Sequence, residues 1–109
     1  MTVVEILESG RARIEKGWCR NVYVWPGDPP RFCAYGALLG SIEAVRADRY
    51  TRQHPEASEV LLAALREIAG DCLIFDWNDD LMRTQADVLA LYDRAIAKAK
   101  ESEGPEGER

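Results

Sequence analysis

The sequence predicts a mainly α-helical single domain with four helices and a short β-hairpin inserted between the first two. Four segments repeat apolar residues at three- and four-residue steps, which is typical of helices with one buried face. A strand-favouring Val-Tyr-Val-Trp run at 22–25 precedes a Pro-Gly-Asp-Pro-Pro turn, which fits neither a helix nor a central strand. A chain of 109 residues has room for one core.

The first predicted helix runs from Thr2 to Lys16. Thr2 and Glu5 have the spacing of a capping box, in which two side chains satisfy free backbone amides at the helix start. The hairpin follows, with one strand within Arg20–Trp25 and a short return at Arg31 and Phe32.

The second predicted helix runs from about Phe32 or Cys33 to Asp48. Gly36 and Gly40 lie four residues apart within it, although glycine costs about 1 kcal/mol relative to alanine in a helix interior. Their spacing predicts that another backbone or an aromatic ring packs closely against this helix.

The second half of the chain predicts two further helices. One begins with Pro55 at its first position and ends at Gly70, with Ile68 on its core face. Residues 71–80 are predicted to form a buried extended segment or one helical turn, followed by a polar turn. The last helix runs from Thr84, capped by Thr84 and Asp87, to about Lys100. The predicted helical domain is therefore 1–100, and 101–109 is a disordered acidic tail.

Composition and charge exclude several classes of protein. The chain is 47% hydrophobic and 30% charged, which is ordinary for a globular protein. Its longest apolar runs, such as Val60 to Leu65, are too short to span a membrane, and the charged N-terminus does not resemble a secretory signal. The net charge of −5 argues against nucleic-acid binding. We therefore expect a cytoplasmic protein without nucleic-acid or membrane partners.

The cysteines indicate neither disulfides nor a metal site. Cys19, Cys33 and Cys72 are odd in number and contain no Cys-x-x-Cys pair, which favours reduced thiols. With His54, the only histidine, they lack the close ligand spacing of a zinc site. We expect at least two cysteines to be buried, and no metal or cofactor.

Four short motifs follow one another along the chain. They are Gly17-Trp18-Cys19, Cys33 with Gly36-Ala37-Leu38, Trp77-Asn78-Asp79, and Arg83-Thr84 with Val88, Asp93, Ala95 and Ile96. This ordered set resembles an uncharacterised domain-of-unknown-function family of small proteins from actinobacteria and their phages. The resemblance covers about residues 10–97 and implies origin and fold, but no activity, cofactor or substrate. At Arg20-Asn21 the chain departs from the Gln-Gly that such proteins tend to have.

The main enzyme hypothesis is a cysteine-dependent hydrolase or transferase. Cys33 lies at a predicted helix start, where amide groups lower a thiol pKa and can stabilise an oxyanion. His54 would be the base, and Asn78 or Asp79 would orient it. The alternative is that Cys33 faces the core and His54 belongs to a helix cap.

Two groups of residues are candidates for binding a partner. Trp77, Asn78 and Asp79, together with Arg83, offer a polar surface beside a ring, although Asn and Asp also build turns and Arg83 could clamp a nearby Asp. Tyr23 and Trp25 lie on the hairpin, and such aromatic residues are enriched at interfaces.

The sequence therefore favours a small non-enzymatic protein that binds a host protein or a second copy of itself, as a homodimer. A phage or prophage accessory role fits this interpretation. The cysteine enzyme is the alternative. A third hypothesis is mimicry of nucleic-acid charge by the acidic second half, which carries nine acidic and five basic groups over residues 55–100.

Overall fold

A computed structural model describes residues 1–103, and this part of the chain forms six helices and one two-stranded antiparallel sheet. The mainly α fold class, with a hairpin after the first helix, is confirmed. In chain order the elements are α1 (Val3–Lys16), β1 (Val24–Trp25), β2 (Arg31–Phe32), α2 (Ala34–Leu39), α3 (Ile42–Asp48), α4 (Pro55–Ala69), α5 (Ile74–Asp79) and α6 (Gln85–Glu103).

The core lies between α1, α2, α4 and α6, and Tyr92 of α6 is its largest fully buried side chain. The Tyr92 ring lies directly on α1, where a Cβ on Gly10 would be 2.6 Å from the ring. Its hydroxyl donates to the Ala34 carbonyl at 2.6 Å, and burial raises the pKa of this hydroxyl. One residue thus joins α6 to both α1 and α2.

Both predicted capping pairs are present. Thr2 and Glu5 form a reciprocal capping box at α1, with bonds of 2.8 and 3.1 Å. Thr84 and Asp87 make the same exchange before α6, at 3.0 and 3.2 Å. These pairs depend only on local sequence, so they could be recognised without the tertiary structure.

The prediction of one long second helix was wrong, because the chain turns at Gly40. Gly40 has a φ of 96°, in the left-handed region, and ends α2. The Ser41 hydroxyl then accepts from the Ala44 amide at 3.1 Å and starts α3. Arg13 of α1 donates to the Ala37 carbonyl at 2.7 Å near this helix end. A contact from another helix therefore also stabilises the break.

The segment before α6 and the end of α4 also differ from expectation. Residues 74–79 form the short helix α5, in agreement with the helical alternative. Cys72 and Leu73 before it are exposed, although the segment was predicted to be buried. Ile68 was expected in the core and is also exposed. Periodicity identifies one face of a helix but does not show where the neighbouring elements end.

The hairpin is shorter than predicted, with Val24 opposite Phe32 and Trp25 opposite Arg31. Residues 17–19 pair with the other side of β2: Phe32 N–H donates to the Gly17 carbonyl at 3.0 Å, and its carbonyl accepts from Cys19 N–H at 3.1 Å. β2 therefore lies between β1 and the segment that follows α1.

The last helix continues three residues beyond the predicted end, to Glu103. Residues 104–109, the remainder of the predicted acidic tail, lie outside the described residues. Within residues 1–103, no helix has the length and hydrophobicity that a membrane-spanning segment requires.

We predict that Gly36→Ala destabilises the fold, because a Cβ at Gly36 would lie 2.0 Å from the Tyr23 carbonyl oxygen. This contact confirms the close backbone approach that the glycine spacing predicted for this position. Overpacking of this kind costs about 1–3 kcal/mol, and here it must exceed the gain in helix propensity. Urea denaturation followed by circular dichroism measures the change.

Gly27→Ala is the matched control for this prediction. A Cβ at Gly27 meets a single atom, the Pro29 carbonyl oxygen, at 3.3 Å. The free energy of unfolding should change by no more than about 0.5 kcal/mol, as for most surface substitutions. Equal effects of the two substitutions would contradict the proposed clash.

Candidate functional site

The Asn78 side chain connects three separate segments of the chain. Its Oδ1 accepts from Trp18 Nε1 at 2.8 Å and from the Ala34 amide at 2.9 Å. Its Nδ2 donates to the Cys19 carbonyl at 3.1 Å and to Asp79 Oδ1 at 3.0 Å. Both acceptor positions and both donors of the carboxamide are thus occupied, and Asn78 is only 1% exposed. Asn78 therefore holds these segments together from inside the protein. We call this meeting point the Asn78 junction.

Two arginine–tryptophan stacks reinforce this junction. The Arg20 guanidinium lies 4.6 Å from the Trp18 ring centroid, and that of Arg83 lies 4.2 Å from the Trp77 ring centroid. Arg20 also donates to the carbonyls of Asp80 and Arg83. Arg83 donates to the Trp77 carbonyl at 2.9 Å. The turn after α1 and the turn after α5 are thereby joined to each other.

A groove of about 460 Å³ lies beside this junction, between residues 21–24 and α3. We call it groove A. Its lining is mostly apolar and includes the buried Cys33. Arg46 and Asp79 supply the charged groups. The lining residues are Asn21, Val22, Tyr23, Val24, Cys33, Ile42, Val45, Arg46, Phe75 and Asp79.

A second groove, groove B, has a volume of about 400 Å³ and shares Tyr23 and Phe75 with groove A. The two rings lie 4.9 Å apart between centroids, and the Tyr35 ring lies 5.7 Å from that of Phe75. The Tyr35 hydroxyl donates to Asp48 at 3.0 Å. Groove B is also lined by Arg52, Ser58, Leu62, Arg66, Asp71, Cys72, Leu73 and Ile74. The two grooves therefore form one surface around a shared aromatic wall.

Cys33 is buried and acts as the N-cap of α2. Its Sγ accepts from the Gly36 amide at 3.2 Å. Burial raises the pKa of the Cys33 thiol to about 11, so the thiol is protonated at neutral pH. An activated nucleophile requires the opposite shift. The expectation of at least two buried cysteines was wrong, because Cys19 is half-buried and Cys72 is exposed.

His54 lies elsewhere, at the start of α4. It has a φ of 49° and occupies the N-cap position through its backbone, while its side chain forms no capping bond. It lines a shallow cavity with Met1 and Ile6 near the N-terminus of α1, whereas Cys33 lines groove A. The geometry thus offers no support for a Cys33–His54 pair.

The other predicted site residues divide into exposed and supporting groups. Trp25 is 57% exposed, and Tyr23 lines both grooves. Asp79 lines groove A and accepts from the Asn21 amide at 2.8 Å. Trp77 is 6% exposed, so neither it nor Asn78 offers a surface ring or amide to a partner. The alternative role of Arg83 was to clamp an Asp onto its turn; its guanidinium bonds the Trp77 carbonyl at 2.9 Å and lies 3.8 Å from the Asp87 carboxylate.

Sequence analysis missed the groove residues contributed by α3 and α5. Ile42 and Val45 fall within the predicted second helix, where their three-residue spacing is typical of a core-facing stripe. The Gly40-Ser41 pair could have revealed the break, since glycine often follows the end of a helix and serine often begins one. Nothing local indicates that Phe75 lines a groove.

The model of a family of unknown function, DUF6197, matches residues 1–98. The chain belongs to this family. The match includes the Asn78 junction and both grooves, so the described site lies within the family domain. No curated protein and no solved structure matches the chain. Membership in DUF6197 assigns no activity, and within residues 1–103 no three His, Cys, Asp or Glu side chains are grouped as a metal site would require.

We predict that Asn78→Ala lowers the free energy of unfolding by roughly 3 kcal/mol, because several buried polar groups lose their partner. Asp76→Ala is the control on the same helix, since Asp76 is exposed. Denaturant titration of both variants gives the comparison. A loss below about 1 kcal/mol for Asn78→Ala would show that water replaces the carboxamide without penalty.

We predict that iodoacetamide alkylates the exposed Cys72 faster than Cys33 at each pH between 5 and about 9, because Cys33 is buried and its burial favours the protonated thiol. Mass spectrometry of peptides from the folded protein follows each site. Because the folded-state pKa is raised, the stabilisation from this thiol is complete below the unfolded-state pKa and is lost as the pH rises towards 11. Rapid labelling of Cys33 below pH 8 would contradict a capping role.

Proposed function

We propose that this protein acts without catalysis, by binding another protein in the cytoplasm, and that groove A is its contact surface. The observation that carries the proposal is the groove itself. Valine, isoleucine and aromatic side chains from β1, α3 and α5 line a concavity of about 460 Å³. Concave apolar surfaces with a few polar groups are the usual form of a recognition site.

Exposed aromatic residues next to the groove support the proposal. Trp25 ends β1, and Tyr23 precedes this strand and forms part of the wall between the grooves. Tryptophan, tyrosine and arginine are the residues most enriched among interface hot spots. Trp25 therefore remains the best single candidate for a contact residue. An accessory role for a phage or prophage, acting on a host protein, is compatible with such a surface.

The two other hypotheses receive less support. Catalysis by Cys33 would need a thiolate and a nearby base, whereas the thiol caps a helix and His54 lies at another cavity. Charge mimicry would need a row of free carboxylates. Glu67 is instead held by Arg94 and Lys98, and Asp93 is held by Arg11.

Selection from a random peptide library displayed on phage tests the proposed function. We expect the wild-type protein to enrich peptides that Val45→Glu fails to retain, because the added carboxylate enters the apolar groove. Ala47→Glu adds the same charge at an exposed position of α3 and should retain them. Trp25→Ala should weaken retention with little change in melting temperature.

Circular dichroism first establishes that each variant is folded. Two outcomes would refute the proposal: no enrichment by the wild-type protein, or equal retention by folded Val45→Glu and Ala47→Glu. The latter result would mean that the peptides bind somewhere other than groove A.

A further inference from the structure

Cys19 and Cys33 occupy the same register position on two neighbouring strands. Trp18 pairs with Phe32 in a parallel bridge, in which Phe32 N–H donates to the Gly17 carbonyl and the Phe32 carbonyl accepts from Cys19 N–H. The next register position of this parallel pair places Cys19 opposite Cys33. Because side chains alternate between the two faces of a strand, the two cysteine side chains leave the pair on the same face.

The pairing continues past the two cysteines with the Asn78 carboxamide inserted into it. In a regular parallel ladder, the Ala34 amide would donate to the Cys19 carbonyl. Here the Ala34 amide donates to Asn78 Oδ1 at 2.9 Å, and Asn78 Nδ2 donates to the Cys19 carbonyl at 3.1 Å. The two segments are therefore in direct contact at Phe32 and are spread by one amide group at Ala34. The cysteine pair lies between these two positions.

This spacing suits a disulfide bond. Directly paired strands lie about 4.8 Å apart, and the inserted amide widens the separation next to the cysteines. The Cα atoms of disulfide-bonded residues are about 4.4–6.8 Å apart, and most often about 5.5–6 Å. Cys33 has an extended backbone, with a φ of −78° and a ψ of 173°, so the strand geometry holds as far as this residue.

Both thiols are reduced, and each sulfur has its own hydrogen bond. Cys19 Sγ donates to the Val22 carbonyl at 3.6 Å, and Cys33 Sγ accepts from the Gly36 amide at 3.2 Å. The Cys33 amide donates to the Tyr23 carbonyl, so the two cysteines contact consecutive residues of the hairpin segment. Burial is the main cause of the raised pKa of the Cys33 thiol, and the nearby Cys19 adds to it. Sulfur is a weak donor and acceptor, so these bonds oppose a change of partner only weakly.

We infer that Cys19 and Cys33 form a reversible disulfide by exchange with a low-molecular-weight disulfide such as oxidised glutathione. The half-buried Cys19 reacts first: its thiolate attacks one sulfur of the reagent, and a glutathione thiolate leaves and takes up the proton. The Cys33 thiol then loses its proton, attacks the Cys19 sulfur and releases the second glutathione. Two protein thiols are thus oxidised to one disulfide, and the reagent is reduced to two thiols.

The bond would close a loop of fifteen residues, 19–33, which contains the hairpin and residues 21–24 of groove A. Closing such a loop restricts the unfolded chain and thereby stabilises the folded state. In a reducing compartment the bond would be transient, which is typical of redox-sensing rather than structural disulfides. This chemistry is independent of what groove A binds.

Incubation of the folded protein with oxidised glutathione tests the inference. We expect peptide mass spectrometry to find residues 17–20 joined to residues 32–46, the two tryptic peptides that contain Cys19 and Cys33. The exposed Cys72 should carry one glutathione instead. The Cys72→Ser variant removes this side reaction. Its melting temperature should rise by about 5 °C or more on oxidation, and dithiothreitol should reverse the shift.

Cys33→Ser, combined with Cys72→Ser, is the matched control, because a serine hydroxyl can still accept from the Gly36 amide at the start of α2. Circular dichroism establishes that the variant is folded. It should accumulate the mixed disulfide of Cys19 with glutathione, form no internal bond and lack the rise in melting temperature.

Three results would overturn the inference. One is a wild-type protein in which Cys19 keeps its glutathione while Cys33 stays reduced, since the two sulfurs then do not meet. Another is a disulfide that involves Cys72, or that links two molecules, in place of the internal bond. The third is a folded protein in which neither Cys19 nor Cys33 reacts, with the bond forming only in denaturant.

Discussion

The Asn78 carboxamide is the interaction on which the remaining structure most depends. It is buried, its donors and acceptors are all used, and its partners come from the turn after α1, the start of α2 and the end of α5. A buried amide is costly unless it is fully bonded, so these three segments must meet in one arrangement. This arrangement sets the position of the hairpin, because Cys19 and Phe32 pair immediately beside it.

The residues around Asn78 fall into two layers with different roles. Trp18, Trp77 and the arginines stacked on them form a support whose hydrogen bonds are directed inwards. The surface above this support is formed by Tyr23, Val45 and other side chains that make few polar contacts. The polar motif at Asn78 and Asp79 suggests a binding site when only the sequence is considered. In the structure, the hydrogen bonds of these side chains serve mainly to hold the backbone in place.

Net charge describes this protein poorly. The chain carries −5, but Glu67 of α4 and Asp93 of α6 are paired with cations, whereas the three arginines and three aspartates that line the grooves form no ion pairs within residues 1–103. Ion pairs between exposed side chains add little stability, so the paired charges act mainly as a soluble face. The charges that line the grooves therefore balance in number, and they lie beside apolar side chains. The net charge of the chain therefore does not describe the charge around the grooves.

Local sequence determined the helical class, both capping boxes, the hairpin turn and the close packing at Gly36, because each depends on neighbouring residues or on helical periodicity. It also indicated that Trp25 would be a candidate contact. Tertiary structure alone decided that Asn78 and Trp77 are supports, that Cys33 is a cap with a raised pKa, and that Ile42, Val45 and Phe75 line one groove. These outcomes arise between segments that are far apart in the chain, such as residues 18–25 and 74–79. Their side chains become buried and find their partners only when the core has brought the segments together. No pattern within either segment predicts that contact.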